Sequence, residues 1–493
     1  MDSVAKKPAG QDFQAPPLSE KEKNVIIAGV LLSMLLAALD QTIVAPAMPT
    51  IGGALGHAEY LPWIVTAYLL TATAIAPLYG KISDVHGRRP TIYGAILIFL
   101  AGSLVSAVAP NMLVLIIGRA IQGLGGGGLF ALSQTVIGDL VPPLERARYS
   151  AWISGTWAVA SVAGPLLGGA FAEHLHWSLI FWINIPLGLT AMAIINDPLK
   201  KLPVAARRHG IDGWGALLLI AATALLLLAL NWGGSLYAWS SPEILGILAC
   251  SAVFWIGFAV RLTRAAEPLV SLAVLGNPIV LGGTLSIFLV QAANLGLAVY
   301  LPVYMQSALG LSVAESGSAM LGLLLGTVGG AMASGYLIPH VRHYKRIALA
   351  GSLFGTASLT VLGLVAGEAP LPVVEALTAC IGIGAGTAFP VATVSVQNAV
   401  DQMHLGVATG VLTFLRSLGG ALGVALLGAV ALGYGLPLGR EGTGSVVHAA
   451  SGPGFSMIFF VCAAITIASF VGFLLMPEKK LRGYAREIPP ALE

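Results

Sequence analysis

Charge is scarce in this chain. Only 10% of its 493 residues are Asp, Glu, Lys or Arg, against roughly 25% in an ordinary soluble domain. So few charges cannot cover a water-facing surface, which excludes a soluble globule. Cysteine is scarce too. Cys250, Cys380 and Cys462 each fall inside an apolar run, and none stands at metal-ligand spacing from another. They read as small hydrophobes, with no disulfide framework and no metal site. No ATP-binding glycine loop occurs, so the driving force for any transport is an ion gradient or the substrate's own gradient. Paired acids and HxxxD-like clusters on one membrane face are also missing. An enzyme is not expected, nor is a cofactor. A net charge of +3 is not the footprint of a nucleic-acid partner.

Apolar side chains are what the chain has in abundance. They make up 57% of it, and the mean hydropathy is +0.87. Disorder is excluded. At roughly 20 residues per crossing, about fourteen spans are available. The chain therefore reads as an all-α membrane protein of fourteen transmembrane helices. The apolar segments fall at about 24–47, 60–80, 91–110, 112–138, 148–171, 178–196, 213–232, 243–262, 278–303, 316–337, 347–366, 372–398, 405–433 and 455–476.

Orientation follows from the basic residues. With the N-terminus inside, the inner segments hold Lys6, Lys7, Lys21, Lys23, Lys81, Arg88, Arg89, Arg146, Arg148, Lys200, Lys201, Arg207, Arg208, Arg261, Arg264, Arg342, Lys345, Arg346, Lys479, Lys480, Arg482 and Arg486. The outer loops hold Arg440 alone, and Arg119 and Arg416 lie within spans. A miscounted span would invert every loop after it and spoil this bias. Both ends are expected in the cytoplasm, the inner (cytoplasmic) membrane being the site. The first apolar run, with Asp40 in it, is a retained helix and not a cleaved signal.

The chain carries a repeat. QGLGGGGLF at 122–130 aligns with IGIGAGTAF at 381–389, an offset that also places Gly164 on Gly423 and Gly169 on Gly428. Two related halves are implied, with two extra spans between them. The expected organisation is a tail (1–23), a six-helix half (24–196), two extra helices with linkers (197–277), a second six-helix half (278–476) and a tail (477–493). Parallel repeats of this kind are a transporter architecture with sites near the midplane between halves. Gly125, Gly126, Gly127 and Gly128 each weaken a helix by roughly 1 kcal/mol relative to Ala. They mark a bendable or very closely packed segment.

Several side chains stand out against the apolar background. Asp40 lies in the first span, where charge costs several kcal/mol unless paired or hydrated. Burial favours the protonated carboxyl, which makes Asp40 the leading proton site. It could also cap a helix broken at Pro46 and Pro49. Arg119 is the only base in its span. Its partner could be Asp40, a backbone carbonyl or an anionic substrate group, or it could simply tie helices together. Gln122 lies one turn on, along the same face. Arg416 sits in the mirror span of the fifth helix.

In the loop after the second span, one acid, Asp84, stands among Gly80, Lys81, Gly87, Arg88 and Arg89. Asp84 can accept from backbone N–H groups at a neighbouring helix end and pair with Arg, as a latch that breaks in another conformation. A solvated turn is the alternative. The second half keeps Gly335, Arg342, Lys345 and Arg346 but no acid among them, so only the first loop is expected to latch. Pro165 kinks the fifth span, while Gly164, Gly168 and Gly169 permit close packing on the other half. Glu315 and Glu375 lie near outer span ends. Gln291, Asn294, Tyr300 and Tyr304 stripe the ninth span and could line a cavity. Trp63, Tyr68 and Trp157 could contribute from the first half, or belong to interfacial aromatic belts.

These motifs together resemble one family. The Asp84 loop is similar to motif A of the major facilitator superfamily. Leu39-Asp40-Gln41-Thr42-Ile43-Val44-Ala45-Pro46-Ala47-Met48-Pro49 resembles the LDxTIVxxALP signature of its fourteen-helix drug:proton antiporters, the EmrB/QacA type. Arg119 to Gly123 resembles the RxxQG of motif B, and Gly164-Pro165-Leu166-Leu167-Gly168-Gly169 the antiporter motif C. His176 to Pro186 resembles WRWxFxxNxP, with Ser178 replacing the usual Arg. The resemblance covers the whole chain. It implies the major facilitator fold and proton-coupled export of hydrophobic or amphipathic compounds by alternating access, that is, multidrug efflux of the kind behind antibiotic resistance. Small-molecule substrates, protons and membrane lipids are the implied partners, and a periplasmic adaptor protein is permitted. Rival readings are a narrow-specificity exporter of a metabolite or siderophore, and a membrane sensor or lipid-handling protein on the same fold.

Overall fold

The computed structural model describes residues 18–57, 60–201, 210–234, 236–434, 436 and 452–481. Lys6, Lys7, Arg207, Arg208, Arg440, Arg482 and Arg486 lie outside the described residues. Among the described residues, fourteen helices are long and apolar enough to cross a membrane. We number them α1 (Glu20–Leu55), α2 (Leu61–His86), α3 (Arg88–Ala107), α4 (Met112–Leu140), α5 (Pro143–His174), α6 (Leu179–Leu199), α7 (Gly213–Trp232), α8 (Pro242–Arg264), α9 (Pro278–Ser307), α10 (Glu315–His340), α11 (Lys345–Val365), α12 (Leu371–Ala399), α13 (Gln402–Gly433) and α14 (Pro453–Leu475). The expected fourteen spans are borne out.

Local chemistry sets where these helices start. Ser19 accepts from the Glu22 backbone N–H while the Glu22 carboxylate accepts from Ser19, a capping box at the head of α1. Asn111 caps α4, Ser241 caps α8 and Asn277 caps α9. Proline opens α5, α8 and α9, where its missing N–H costs nothing. Pro46 and Pro49 do not break α1, which runs on as one helix to Leu55. The expectation of a broken first helix is corrected. In an apolar medium a break would strand backbone polar groups, so the chain keeps helical geometry through both prolines.

The same helix pairings recur in two groups. In the first, α1 packs on α5 and α6, while α4 packs on α2 and α3. In the second, α9 packs on α13 and α14, while α12 packs on α10 and α11. Between them in sequence, α7 and α8 pair with each other, and α7 leans on α2 with a lighter contact to α13. The seam between the groups is built by α2 and α4 on α13, and by α5 on α10 and α12. An even number of crossings puts the head of α1 and the end of α14 on one face, here called the terminal face. Leu217, Leu245, Val253 and Ile256 stand exposed on α7 and α8, a surface suited to lipid tails.

The four-glycine run is closely packed rather than bent. It lies within the continuous helix α4. A Cβ on Gly125 would lie 2.5 Å from the Ala95 carbonyl oxygen of α3, and one on Gly127 would lie 2.1 Å from the Ala72 carbonyl oxygen of α2. Neither contact leaves space for a methyl group.

Candidate functional site

The fold gathers Asp40, Arg119 and Gln122 into one cluster. Asp40 is wholly buried and Arg119 is 1% exposed. Arg119 Nη1 donates to Asp40 Oδ2 at 2.5 Å and to Gln122 Oε1 at 2.8 Å. Gln122 Nε2 donates to Asp40 Oδ1 at 2.9 Å and to Ser103 Oγ at 2.7 Å. Asn184 Nδ2 donates to Asp40 Oδ1 at 2.9 Å and to Ser103 Oγ at 3.1 Å. Arg119 Nε donates to the Ile64 carbonyl at 3.0 Å. Its guanidinium stacks 4.5 Å from the Tyr68 ring centroid and 5.7 Å from that of Phe181.

Five helices, α1, α2, α3, α4 and α6, thus meet in the cluster around one carboxylate. Each contact on Asp40 comes from an N–H donor, the arrangement that suits an ionised carboxylate. Asn184 Oδ1 has no hydrogen-bond partner among the described residues. Asn184 falls within the His176–Pro186 motif, but nothing along the chain places it, or Ser103, beside Asp40. An amide inside an apolar span was the available signal for Asn184. Gln122, expected to line a substrate cavity, is instead fully occupied inside this cluster.

Asp84 forms a second polar centre, at the terminal face. Its carboxylate accepts from the Gly406 N–H at 3.1 Å and the Val407 N–H at 2.8 Å, in the first turns of α13. These are free N–H groups at a helix start, a natural anion seat. Arg88 Nη1 donates to Asp84 Oδ1 at 2.5 Å, and Arg88 Nε to Asp139 Oδ2 at 2.6 Å. Asp84 therefore clasps one half to the other.

Gly80 makes the clasp possible, since a Cβ there would lie 2.3 Å from the Gly406 carbonyl oxygen. Gly87 has φ of 91°, a backbone state that favours glycine. Asp139 and Gly406 were not anticipated. An acid in the last turn of α4 faces the negative end of the helix dipole, which signals a cationic partner. Nothing in the sequence singles out Gly406. Arg89, grouped with the latch by sequence, points elsewhere: it donates to Asn196 Oδ1 of α6 at 3.0 Å.

The glycines of α5 require a correction. Gly164 and Gly168 pack within their own half, not on the other one. A Cβ on Gly164 would lie 2.0 Å from Thr42 Oγ1, and one on Gly168 2.2 Å from the Ile43 carbonyl oxygen, both on α1. Gly169 has nothing within 4 Å of its Cβ position, and Pro165 is exposed. The small face of α5 is turned to α1 because Thr42 Oγ1 donates across to the Ala160 carbonyl at 2.7 Å. The repeat shows here as well: a Cβ on Gly423 of α13 would lie 2.1 Å from the Ala292 carbonyl oxygen of α9.

The cavity candidates scatter. Asn294 lines a small cavity inside the second half with Ser352, Ile381 and Thr466. Asn294 Nδ2 and Ser352 Oγ have no partner there among the described residues. Tyr300 is buried and donates to the Val424 carbonyl at 3.4 Å. Gln291 is half-buried, beside Gly420. Arg416 lies on the seam helix α13 with its guanidinium 5.4 Å from the Phe389 ring centroid of α12. Glu315 closes a capping box with Ser312 at the head of a helix. Among the described residues, no cluster of His, Cys, Asp and Glu could hold a metal ion.

Known proteins match this architecture. The sequence profile of the Major Facilitator Superfamily matches residues 30–424. Multidrug transporter protein MdtP of Bacillus subtilis is 33% identical over 411 residues, covering 83% of this chain and 76% of that protein. Multidrug resistance protein 3 of the same organism is 31% identical over 405 residues, covering 82% of this chain and 79% of that protein. Efflux pump FUS6 of Gibberella moniliformis is 32% identical over 432 residues, covering 84% of this chain and 75% of that protein. Among solved structures, the human organic anion transporter MFSD10 superposes with a TM-score of 0.64 at 17% identity, over 92% of this chain and 99% of that one. The proton:xylose symporter XylE gives 0.64 at 16% identity, over 94% and 98%. At such identities these structures speak for the fold alone. Together with the fourteen spans, the matches identify this chain as a multi-pass membrane transporter, not an enzyme, and a member of the major facilitator superfamily.

Proposed function

We propose that this transporter exports hydrophobic or amphipathic compounds in exchange for protons, by alternating access. The carrying observation is Asp40, a wholly buried carboxylate held by Arg119, Gln122 and Asn184. A proton on Asp40 cancels the charge that Arg119 pairs with. The carboxyl then becomes a donor among donors, and the cluster must rearrange. Asn184 Oδ1 is an acceptor on hand for the protonated form.

Movement has a route to the seam. α1 grips α5 through Thr42 and the close contacts at Gly164 and Gly168, and α5 lies against α10 and α12 of the other half. Arg119 is only a few residues from the head of α4, roughly 10 Å at 1.5 Å per residue. The cluster thus sits nearer the face opposite the termini. The Asp84 clasp closes the terminal face in this state. Loading of protons from the opposite face and release at the terminal face follows from that asymmetry.

The bias of the basic residues supports a cytoplasmic terminal face. With both ends there, exchange of substrate for protons across the inner membrane lets an inward proton gradient drive export. The relatives named as multidrug and efflux transporters support the reading. Protons, small-molecule substrates and lipids are its partners, with a periplasmic adaptor an optional one.

Everted vesicles test it. Addition of the cationic dye ethidium to energised wild-type vesicles is expected to release protons and dissipate the gradient. Asp40→Asn at equal insertion abolishes that release and abolishes accumulation against a gradient. Normal gradient-dependent accumulation by the Asn variant would sink the reading.

A further inference from the structure

The offset that aligns the two halves pairs two more positions. It carries Phe130 of α4 onto Phe389 of α12, and Trp157 of α5 onto Arg416 of α13. The structure pairs them in space as well. Trp157 stacks on Phe130 with centroids 5.2 Å apart and planes 12° apart. The Arg416 guanidinium lies over Phe389 at 5.4 Å. One half thus offers an aromatic pair, and the other puts a cation in the equivalent place. All four residues stand on helices of the seam. Trp157 and Arg416 lie roughly 20 Å along their helices from the terminal face at 1.5 Å per residue. That is close to the middle of a 30 Å hydrocarbon layer.

The donors at this level lack acceptors. Arg416 makes no hydrogen bond or ion pair among the described residues. No acid lies in α9, α11, α13 or α14, and the acids of α10 and α12, Glu315 and Glu375, sit near helix heads. Arg119 contrasts with it, since Asp40 answers its charge. Trp157 Nε1 is buried with no partner among the described residues. Thr413 Oγ1, three residues before Arg416 and on the same helix face, is also buried with none among them. An intramembrane arginine is expensive unless a cavity or an anion meets it.

We propose that the seam binds amphipathic organic anions. The acidic group lies on Arg416, with Trp157 Nε1 donating to it or to a nearby oxygen. The flat apolar body packs along Trp157, Phe130 and Phe389. Guanidinium and indole N–H groups offer donors only, so a carboxylate or sulfonate satisfies them and an organic cation does not. This substrate class rests on the export reading above, but its residues are distinct from the Asp40 cluster.

Fluorescence anisotropy on the purified protein with two flat dyes tests it, fluorescein as the anion and ethidium as the cation. Wild type is expected to bind fluorescein. Arg416→Gln weakens that binding about tenfold or more, and Arg416→Lys recovers part of it, since a point charge replaces a fork. Trp157→Phe keeps the stack and loses the donor, weakening fluorescein by a smaller factor. Ethidium binds wild type more weakly than fluorescein does, and the thermal denaturation midpoint of Arg416→Gln reports whether the variant is folded. If the glutamine variant fails to fold, competition on wild type decides: benzenesulfonate displaces fluorescein and benzylamine does not.

No fluorescein binding by wild type, equal binding by Arg416→Gln, or displacement by benzylamine as effective as by benzenesulfonate overturns the proposal. Ethidium-driven proton release without fluorescein binding leaves the export reading standing and removes only this one. Arg416-dependent fluorescein binding with no proton release by either dye does the reverse.

Discussion

Asp40 and Arg119 show how context decides a residue's role. Either alone in an apolar span is a liability of several kcal/mol. Together, at 2.5 Å and completed by Gln122 and Asn184, they become a satisfied cluster. Breaking a buried pair from one side costs about 3–5 kcal/mol, because the remaining charge is stranded. Asp40→Asn is therefore expected to lower the thermal denaturation midpoint of the purified protein markedly. Adding Arg119→Gln removes the stranded charge and restores most of the midpoint, while gradient-driven transport stays absent. A double variant no more stable than the single one would show that Arg119 finds another partner. The pairing was open in the sequence, where a carbonyl or a substrate anion served equally well as a partner for Arg119. Only the crossing of α1 and α4 selected Asp40.

Helices contact one another here where glycine removes the side chain. The motif on α5 names three glycines without ranking them, and the structure ranks them. Gly168→Ala sets a methyl 2.2 Å from the Ile43 carbonyl oxygen, whereas Gly169→Ala meets nothing within 4 Å. The first is expected to destabilise by about 1–3 kcal/mol through overpacking, read as a lower midpoint in detergent. The second stays within about 0.5 kcal/mol of wild type. Equal effects would mean that the α1–α5 contact is not set by Gly168. Glycine spacing in sequence announced close approach, but a helix has several small faces. Which neighbour takes which face depends on the lateral order of helices, and this made the expected contact with the other half fall within the same half.

At the scale of the molecule, one carboxylate bridges the two helix groups at the terminal face. Asp84 receives two backbone N–H groups of α13 and the Arg88 guanidinium. Hydrogen bonds to a charged group contribute about 1.5–3 kcal/mol each, so their loss moves a two-state equilibrium by roughly tenfold or more. Asp84→Asn keeps one acceptor oxygen and no charge. Spin labels at His86 and Met403, at the ends of α2 and α13 on this face, are expected to report a longer separation in the variant. Transport falls in parallel. An unchanged distance distribution with normal transport would remove the latch from the cycle. The loop motif made Asp84 a candidate and left a solvated turn equally open. Its seat on α13 lies more than 300 residues away in sequence, beyond the reach of any local pattern.

The amino-acid sequence by itself settled what its composition and periodicity dictate. Apolar runs of membrane length must be helices, because lipid offers no partner for a bare backbone, and there are fourteen of them. The glycine repeat added a doubling that follows from spacing along the chain. The tertiary structure alone decided which buried polar groups meet. Hydrogen bonds reach about 3 Å, while α1, α4 and α6 are separated in the chain by dozens of residues. Asn184 on Asp40, Asp139 on Arg88, and an arginine on the seam without an acid partner among the described residues are consequences of helix order, which no local run of residues encodes.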